Sequence, residues 1–328
     1  MGAMMKRLIC VAALAVLCAA MSPVAAQVYP SRPITIVVPF AAGGPNDTFA
    51  RILAERMRGS LGQPMLIENI GGAGGTIGVG RVARAVGDGY TLSFGSLSSH
   101  VLNGAFFNLP YDVVNDFEPL AMAVDGPQIL VARKNFPAND LKEFIAWLKA
   151  NPDKATMGHP GSGSAAHVGG AFMQKETGTR FQFVPYRGGG PAMQDVISGQ
   201  IDFTMTVASN SLPQIRSGLI KPYAVMGKSR LTAAPDIPTV DEAGVHGVYS
   251  SVWFALWASK GTPKDIVGRL NAAVVEALAD PAVQARLHDL GQEIPPRQQQ
   301  TPEYLGALHK AEVEKWWPIV KAAGIKGE

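Results

Sequence analysis

The chain has 328 residues, 47% of them apolar, with 29 Lys and Arg against 26 Asp and Glu. That length supports a large buried core and two domains, and the net charge of +3 excludes a chain built mainly to grip nucleic acid. The 36 glycines and 24 prolines punctuate turns along the whole sequence and form no low-complexity tail, which excludes a disordered protein.

In chain order, the first element is a leader. Lys6 and Arg7 precede the apolar run from Leu8 to Ala20, and Val24-Ala25-Ala26 is a small-residue cleavage pattern, so a secretory signal peptide over 1–26 is expected, with cleavage after Ala26. The run is too short for a comfortable membrane span, and Leu17 before Cys18 does not fit a lipoprotein signal; a free, exported protein is the expectation. Both cysteines, Cys10 and Cys18, lie in the leader, which leaves the mature chain without disulfide or thiolate chemistry. Losing Lys6 and Arg7 also brings the formal charge to +1.

Ile34 to Val38 then reads as a buried strand, Phe49 to Leu61 as a helix with Phe49, Ile52, Leu53 and Met57 on one face, and Met65 to Glu68 as a strand. A helix around Ile77 to Ala85 and a strand over Tyr90 to Phe94 continue the alternation. After Phe136-Pro137 a second α/β unit begins: helix Leu141 to Lys149, strand Ala155 to Gly158, helix Ala166 to Lys175, strand Phe181 to Val184, helix Ala192 to Ser198 and strand Ile201 to Thr206. Strands at Tyr223 to Met226 and Trp253 to Ala258, a long helix from Pro263 and a last helix over Pro302 to Trp317 complete the chain. Such alternation predicts an α/β fold in which each lobe is a mostly parallel sheet flanked by helices. The simplest arrangement inserts the middle unit into the first. Lobe I then comprises 27–132 and 223–328 and lobe II 133–222, with crossings near Leu130–Lys134 and Ile220–Tyr223.

Two glycine-bearing turns stand out. Phe40-Ala41-Ala42-Gly43-Gly44-Pro45-Asn46-Asp47 follows the first strand and precedes a helix, and His159-Pro-Gly161-Ser162-Gly163-Ser164-Ala165 repeats that design in the second unit. A strand delivering small residues to a helix start leaves backbone N–H groups without intrahelical partners, at the positive end of the helix dipole. Each turn is either an ordinary tight βα connection, with Asn46 or Asp47 capping, or half of a trap for a carboxylate or phosphate. Their occurrence in separate lobes favours a ligand gripped from both sides. Further candidates are Ser96, Ser98 and His100 after the third strand, and Tyr186 and Arg187 before Gly188, Arg187 either pairing with an anion or lying on the surface.

Other chemistries fit poorly. Ile70-Gly-Gly-Ala-Gly-Gly-Thr-Ile-Gly78 fails the dinucleotide spacing, because with Gly72 and Gly74 in place the third glycine position falls on Ile77. No nucleophile elbow surrounds Ser162 or Ser164. His159 and His167 lack the four-residue spacing of paired helical metal ligands, so no metal or cofactor is expected. An enzymatic alternative, a hydrolase using Ser164 and His167 three residues apart, has no acidic orienter in view.

The residues also resemble a family, the extracytoplasmic solute receptors of tripartite tricarboxylate transporters, often called the Bug family. The marks are Tyr29-Pro-Ser-Arg-Pro33, Val38-Pro-Phe-Ala-Ala-Gly-Gly-Pro45, Asn69 with Gly71 to Gly75, Leu109-Pro-Tyr-Asp112 with Asp116-Phe117, and Gly161-Ser-Gly-Ser164 with His167. Val184-Pro-Tyr-Arg-Gly188, Gly199-Gln200, Pro235-Asp-Ile-Pro-Thr-Val240 with Glu242-Ala-Gly244, and Gly261-Thr-Pro263 extend the likeness over nearly the whole mature chain. It implies a two-lobed periplasmic binding protein, type II-like, which is no enzyme. Such a protein works as a monomer, closing over a small carboxylate held by the Phe40–Asp47 and Gly161–Ser164 turns and delivering it to membrane permease subunits. It further implies that the stretch Thr206-Val-Ala-Ser209-Asn210 meets the distal end of the ligand. The family more often has Thr at the place of Asn46 and acidic or small polar residues in the Thr206–Asn210 stretch, departures that bear on specificity.

Overall fold

Strand β1, Ile34–Val38, forms where β-branched residues run consecutively; all of them except Thr35 are buried. Its parallel neighbours are β2, Met65–Asn69, and β3, Thr91–Ser96. Between β1 and β2 the helix Pro45–Leu61 opens on a proline and closes on Gly62, whose left-handed conformation returns its N–H to Arg58 O. The computed structural model describes Gly2 and residues 29–322, and residues from Arg32 onward form one compact unit. The predicted leader and its cleavage site lie outside the described residues.

Strand β4, Phe117–Arg133, is 17 residues long and organises the remainder. Residues 117–127 pair antiparallel with β9, Ser251–Ser259. Residues 128–133 pair antiparallel with β7, Phe203–Val207, and with β8, Ile220–Val225, over 129–133. Beyond β7 lie β5, Thr156–His159, and β6, Gln182–Pro185, both parallel. The sheet order is therefore β2-β1-β3-β9-β4-β7-β5-β6, with β8 also on β4. The expected parallel pairing occupies the two ends of this sheet, and the long strands joining them run antiparallel.

Sequence periodicity did not reveal β4 because Pro119, Asp125, Gly126 and Pro127 interrupt it. Register shifts fall between Pro119 and Ala121 and between Met122 and Val124, the first at a proline that weakens the ladder, while Asp125, Gly126 and Pro127 pair in regular register with Trp253, Val252 and Ser251. Beyond Pro127 the strand alternates cleanly. Leu130 and Ala132 face a core with Phe144, Phe203 and Tyr223, while Ile129 and Val131 face another with Val196, Ile201 and Leu212. The far half of the sheet is thus covered on both faces. Met226, Val240 and Val248 pack into the first of these cores, so the chain stays with that half well past Tyr223. In the near half, Phe254 meets Phe49 edge-on, with ring centroids 4.9 Å apart, and stacks near Phe94.

Candidate functional site

The two halves of the sheet meet over a cavity whose lining comes from both of them. From the first half it is lined by Phe40, Gly44, Pro45, Asn46, Ser96 and Ser98, with Val252 and Phe254 on β9. Pro160, Ala165, Ala166 and Gly189 line it from the second half, with Met205, Thr206 and Val207 at the end of β7 and Gln128 on β4. Larger hollows beside Leu231 and Arg297, or beside Tyr111 and Trp317, are open to solvent and contain none of the predicted residues.

No ionisable side chain is among the lining residues, yet the cavity is edged by helix starts. Gly44 caps Pro45–Leu61, Ala165 opens the helix ending at Thr177, Gly189 opens the helix ending at Ser198, and Val207 caps Ala208–Arg216. A helix start carries a partial positive charge, worth about 0.3–1 kcal/mol to an anion and up to about 2 kcal/mol when partly buried, although at the Ala165 start the Ala165 and His167 N–H groups are already taken by Ser98 Oγ and Ser164 Oγ. Three of the starts converge, because a Cβ built on Gly189 would lie 3.3 Å from Pro45 Cδ and 3.8 Å from Thr206 Oγ1. Such an arrangement receives negative charge without a buried cation and its desolvation cost.

The lobes touch through main chain. Ala41 N–H donates to Arg187 O at 2.9 Å, and Ala165 N–H donates to Ser98 Oγ at 3.0 Å. A Cβ at Gly71 would stand 2.9 Å from Arg187 O, and one at Gly74 would stand 2.7 Å from Ser162 O. The glycine-rich stretch that failed as a dinucleotide motif therefore lets one backbone approach another.

The predicted residues divide accordingly. Phe40, Gly44, Asn46, Ser96, Ser98 and Thr206 line the cavity; Asn46 Nδ2 reaches Phe94 O at 3.5 Å, and Thr206 Oγ1 accepts from Asn210. Gly161, Ser162, Gly163 and Ser164 form the turn between lining residues Pro160 and Ala165, and Ser162 and Ser164 are buried. Ala42 and Gly43 are exposed, and Gly43 N–H is taken by Asp47 Oδ2 at 3.0 Å. The Gly43 donor is therefore committed within its own turn. Asp47 is a brace, accepting also from Arg51 Nε at 3.0 Å and Asn69 Nδ2 at 2.9 Å. Burial raises its carboxyl pKa, but these hydrogen bonds and the Arg51 charge together hold it below the usual value.

Four further candidates lie off the cavity wall. His100 is fully buried in the first half, stacked on Trp257 at 3.8 Å, with Nδ1 against Ser99 Oγ and its carbonyl accepting from His309 Nε2. Burial, with His309 beside it, pushes its pKa well down. Tyr186 donates to Asp195 Oδ2 at 2.6 Å and packs against the second-half core, and burial and that carboxylate push its phenol up. Arg187 contributes its carbonyl to Ala41 while the residue remains exposed. Ser209 is buried with an unpaired hydroxyl, one residue inside the helix that Val207 caps.

Ser164 and His167 do not form a nucleophile and base. Ser164 Oγ caps its helix by accepting the His167 backbone N–H at 3.3 Å, and His167 Nδ1 accepts from Gly163 N–H at 3.2 Å. The His167 ring stacks on His159, with centroids 4.7 Å apart. Burial brings both imidazoles down to about 4, with the His167 charge adding to the effect at His159, so both are neutral near pH 7. Sequence reading missed Gln128, Gly189, Val252 and Phe254. Gln128 follows the Pro127 that concealed its strand, and Val252 and Phe254 carried only a core signal.

A two-lobed α/β periplasmic-type binding protein, with a cavity between its lobes suited to a small anion, is the class that this fold and site define. A family model described as the tripartite tricarboxylate transporter family receptor, TctC, matches residues 49–325. The periplasmic binding protein BugD is 40% identical, over 92% of this chain and all of that one, with a TM-score of 0.88. MatC from Rhodopseudomonas palustris, with bound malate, is 40% identical over 89% of this chain and all of its own, with a TM-score of 0.86. Rpa4515 of R. palustris, with adipate, is 31% identical over 91% of this chain and 99% of its own, also at 0.86. The chain belongs to the tripartite tricarboxylate transporter receptor family.

Proposed function

We propose that this protein captures a small organic acid, a di- or tricarboxylate or a near relative, in the cavity between its lobes. It acts in the periplasm after removal of residues 1–26, as a monomer, and hands the solute to membrane permease subunits of the tripartite tricarboxylate type. The observation that carries the reading is the cavity wall, four helix starts with hydroxyl and amide groups and no charged side chain. The malate and adipate held by the relatives agree with it. Phe40, Gly44, Asn46, Ser96, Ser98 and Thr206 meet the solute, joined by Ala165, Ala166 and Gly189. The Gly161–Ser164 turn sets the position of the helix start at Ala165.

We place the hinge where β4 passes from β9 to β7, at Pro127–Gln128, and where the chain returns at Ser250–Ser251. Lobe I then comprises residues up to 127 and from 251, and lobe II comprises 128–250. The reason is that Ile220–Val225, Met226, Val240 and Val248 share strand pairing and core with the second half.

Calorimetric titration of the mature protein with malate, succinate, adipate and citrate, and with malamide as an uncharged control, tests the reading. At least one acid is expected to bind and malamide is not. Binding of the diamide as tightly as the acid, or of no acid at all, overturns it. N-terminal sequencing of exported protein should read Gln27 first.

A further inference from the structure

Of the polar side chains on the cavity wall, Gln128 alone is carried by β4, the strand that joins the lobes. Its main chain ties the two crossings together. The Gln128 N–H donates to Ser250 O at 2.8 Å and its carbonyl accepts from Met226 N–H at 2.8 Å, while Ser250 N–H donates to Met226 O at 2.8 Å. The side chain is 4% exposed, and its Oε1 accepts from Ser250 Oγ at 2.6 Å. Nε2 has only a 3.5 Å contact with Met205 O, at the outer limit of a hydrogen bond. The reverse amide orientation would set Oε1 against the Met205 carbonyl, two acceptors face to face, so the orientation is fixed. A buried amide with two N–H donors and one long bond has donor capacity left, and the space beside it is the cavity.

We infer that Gln128 Nε2 donates to an oxygen of the bound solute at the hinge end of the cavity, held in place for that task by Ser250. The inference rests on the carboxylate reading and adds a residue that selects among acids. A neutral donor favours a hydroxyl, carbonyl or carboxylate oxygen at that end over a methylene, since an unmet amide in a dry site is costly.

The experiment uses whichever of malate, succinate and adipate binds the mature protein most tightly. The side-chain amide resonance of Gln128, assigned by its loss in Gln128→Met, should shift on saturation with that acid. Gln128→Met should lower affinity for it about tenfold to a hundredfold. Ser250→Ala should lower affinity several-fold, and the double variant should bind no more weakly than Gln128→Met alone, because both act through one contact. An unmoved resonance with unchanged affinity in Gln128→Met overturns the inference while the carboxylate reading stands. Strictly additive losses show Gln128 and Ser250 acting separately, which also overturns it. Failure of the wild-type protein to bind any acid removes the carboxylate reading itself.

Discussion

At the scale of single residues, the groups that hold the site differ from those that meet the solute. Asp47 braces the first turn through Gly43, Arg51 and Asn69. Asp47→Ala removes the acceptor shared by Gly43, Arg51 and Asn69, so a loss of about 1–3 kcal/mol is expected, measured as a lower midpoint in urea unfolding. Ser164→Ala removes a helix cap and should cost about 0.5–2 kcal/mol, read as a fall in Tm with solute affinity changed far less. The His159–His167 stack sets a pH dependence. Its folded pKa values, about 4, lie below the unfolded 6.5, so between those limits the unfolded chain binds more protons. Stability from this pair is complete above about pH 6.5 and is lost as pH falls toward 4. Thermal unfolding across pH 4–7 should show that slope, flattened in a His159→Gln, His167→Gln double variant.

Single residues were only partly legible in the sequence. Phe40, Gly44, Asn46 and Ser96 were singled out because each sits at the carboxyl end of a strand or the helix start beyond it, where α/β folds place ligands, whereas Thr206 came only from the family resemblance. His100 and Tyr186 sit equally close to strand ends, yet one stacks on Trp257 and the other bonds Asp195. Sequence position gives the height of a side chain in the fold, whereas its direction depends on partners that a strand end does not announce, Trp257 for His100 and Asp195 for Tyr186.

At the scale of elements, the glycine stretch Gly71–Gly75 and the Gly161–Gly163 turn form a seam. Gly71→Ala probes it, since a Cβ there would stand 2.9 Å from Arg187 O across the cleft and 3.1 Å from Ala41 N on its own side. The variant should bind the solute at least about tenfold more weakly, because full closure requires backbone contact at that place, with a fall in Tm from the crowding of Ala41 on its own side. Calorimetry and thermal unfolding on the same preparation check both halves of the expectation. Nearly every α/β unit was legible, since apolar periodicity and caps are local. Strand β4 and the helices Ala208–Arg216 and Pro281–Asp289 were not read from the sequence. Prolines interrupt the first two, and Asp280 and Pro281 mark only the start of the third.

At the scale of the whole molecule, the proposed hinge at β4 and the return at Ser250 has short connections, so bound solute should shift the population toward the shut form. Small-angle scattering of the mature protein should show a smaller radius of gyration at saturating acid, and profiles that superimpose would remove closure from the account. The sequence by itself determined the repeated strand–turn–helix units, the exported character it predicts, the two glycine turns and the family resemblance, because all of these are written in local spacing. Only the tertiary structure decided which helix starts converge and that no charged side chain lines the cavity, and its strand pairing is the ground for the proposed hinge at Gln128. The reason is physical: a cavity is enclosed by elements distant in the chain, and its electrostatics depend on where their ends meet, which no local pattern records.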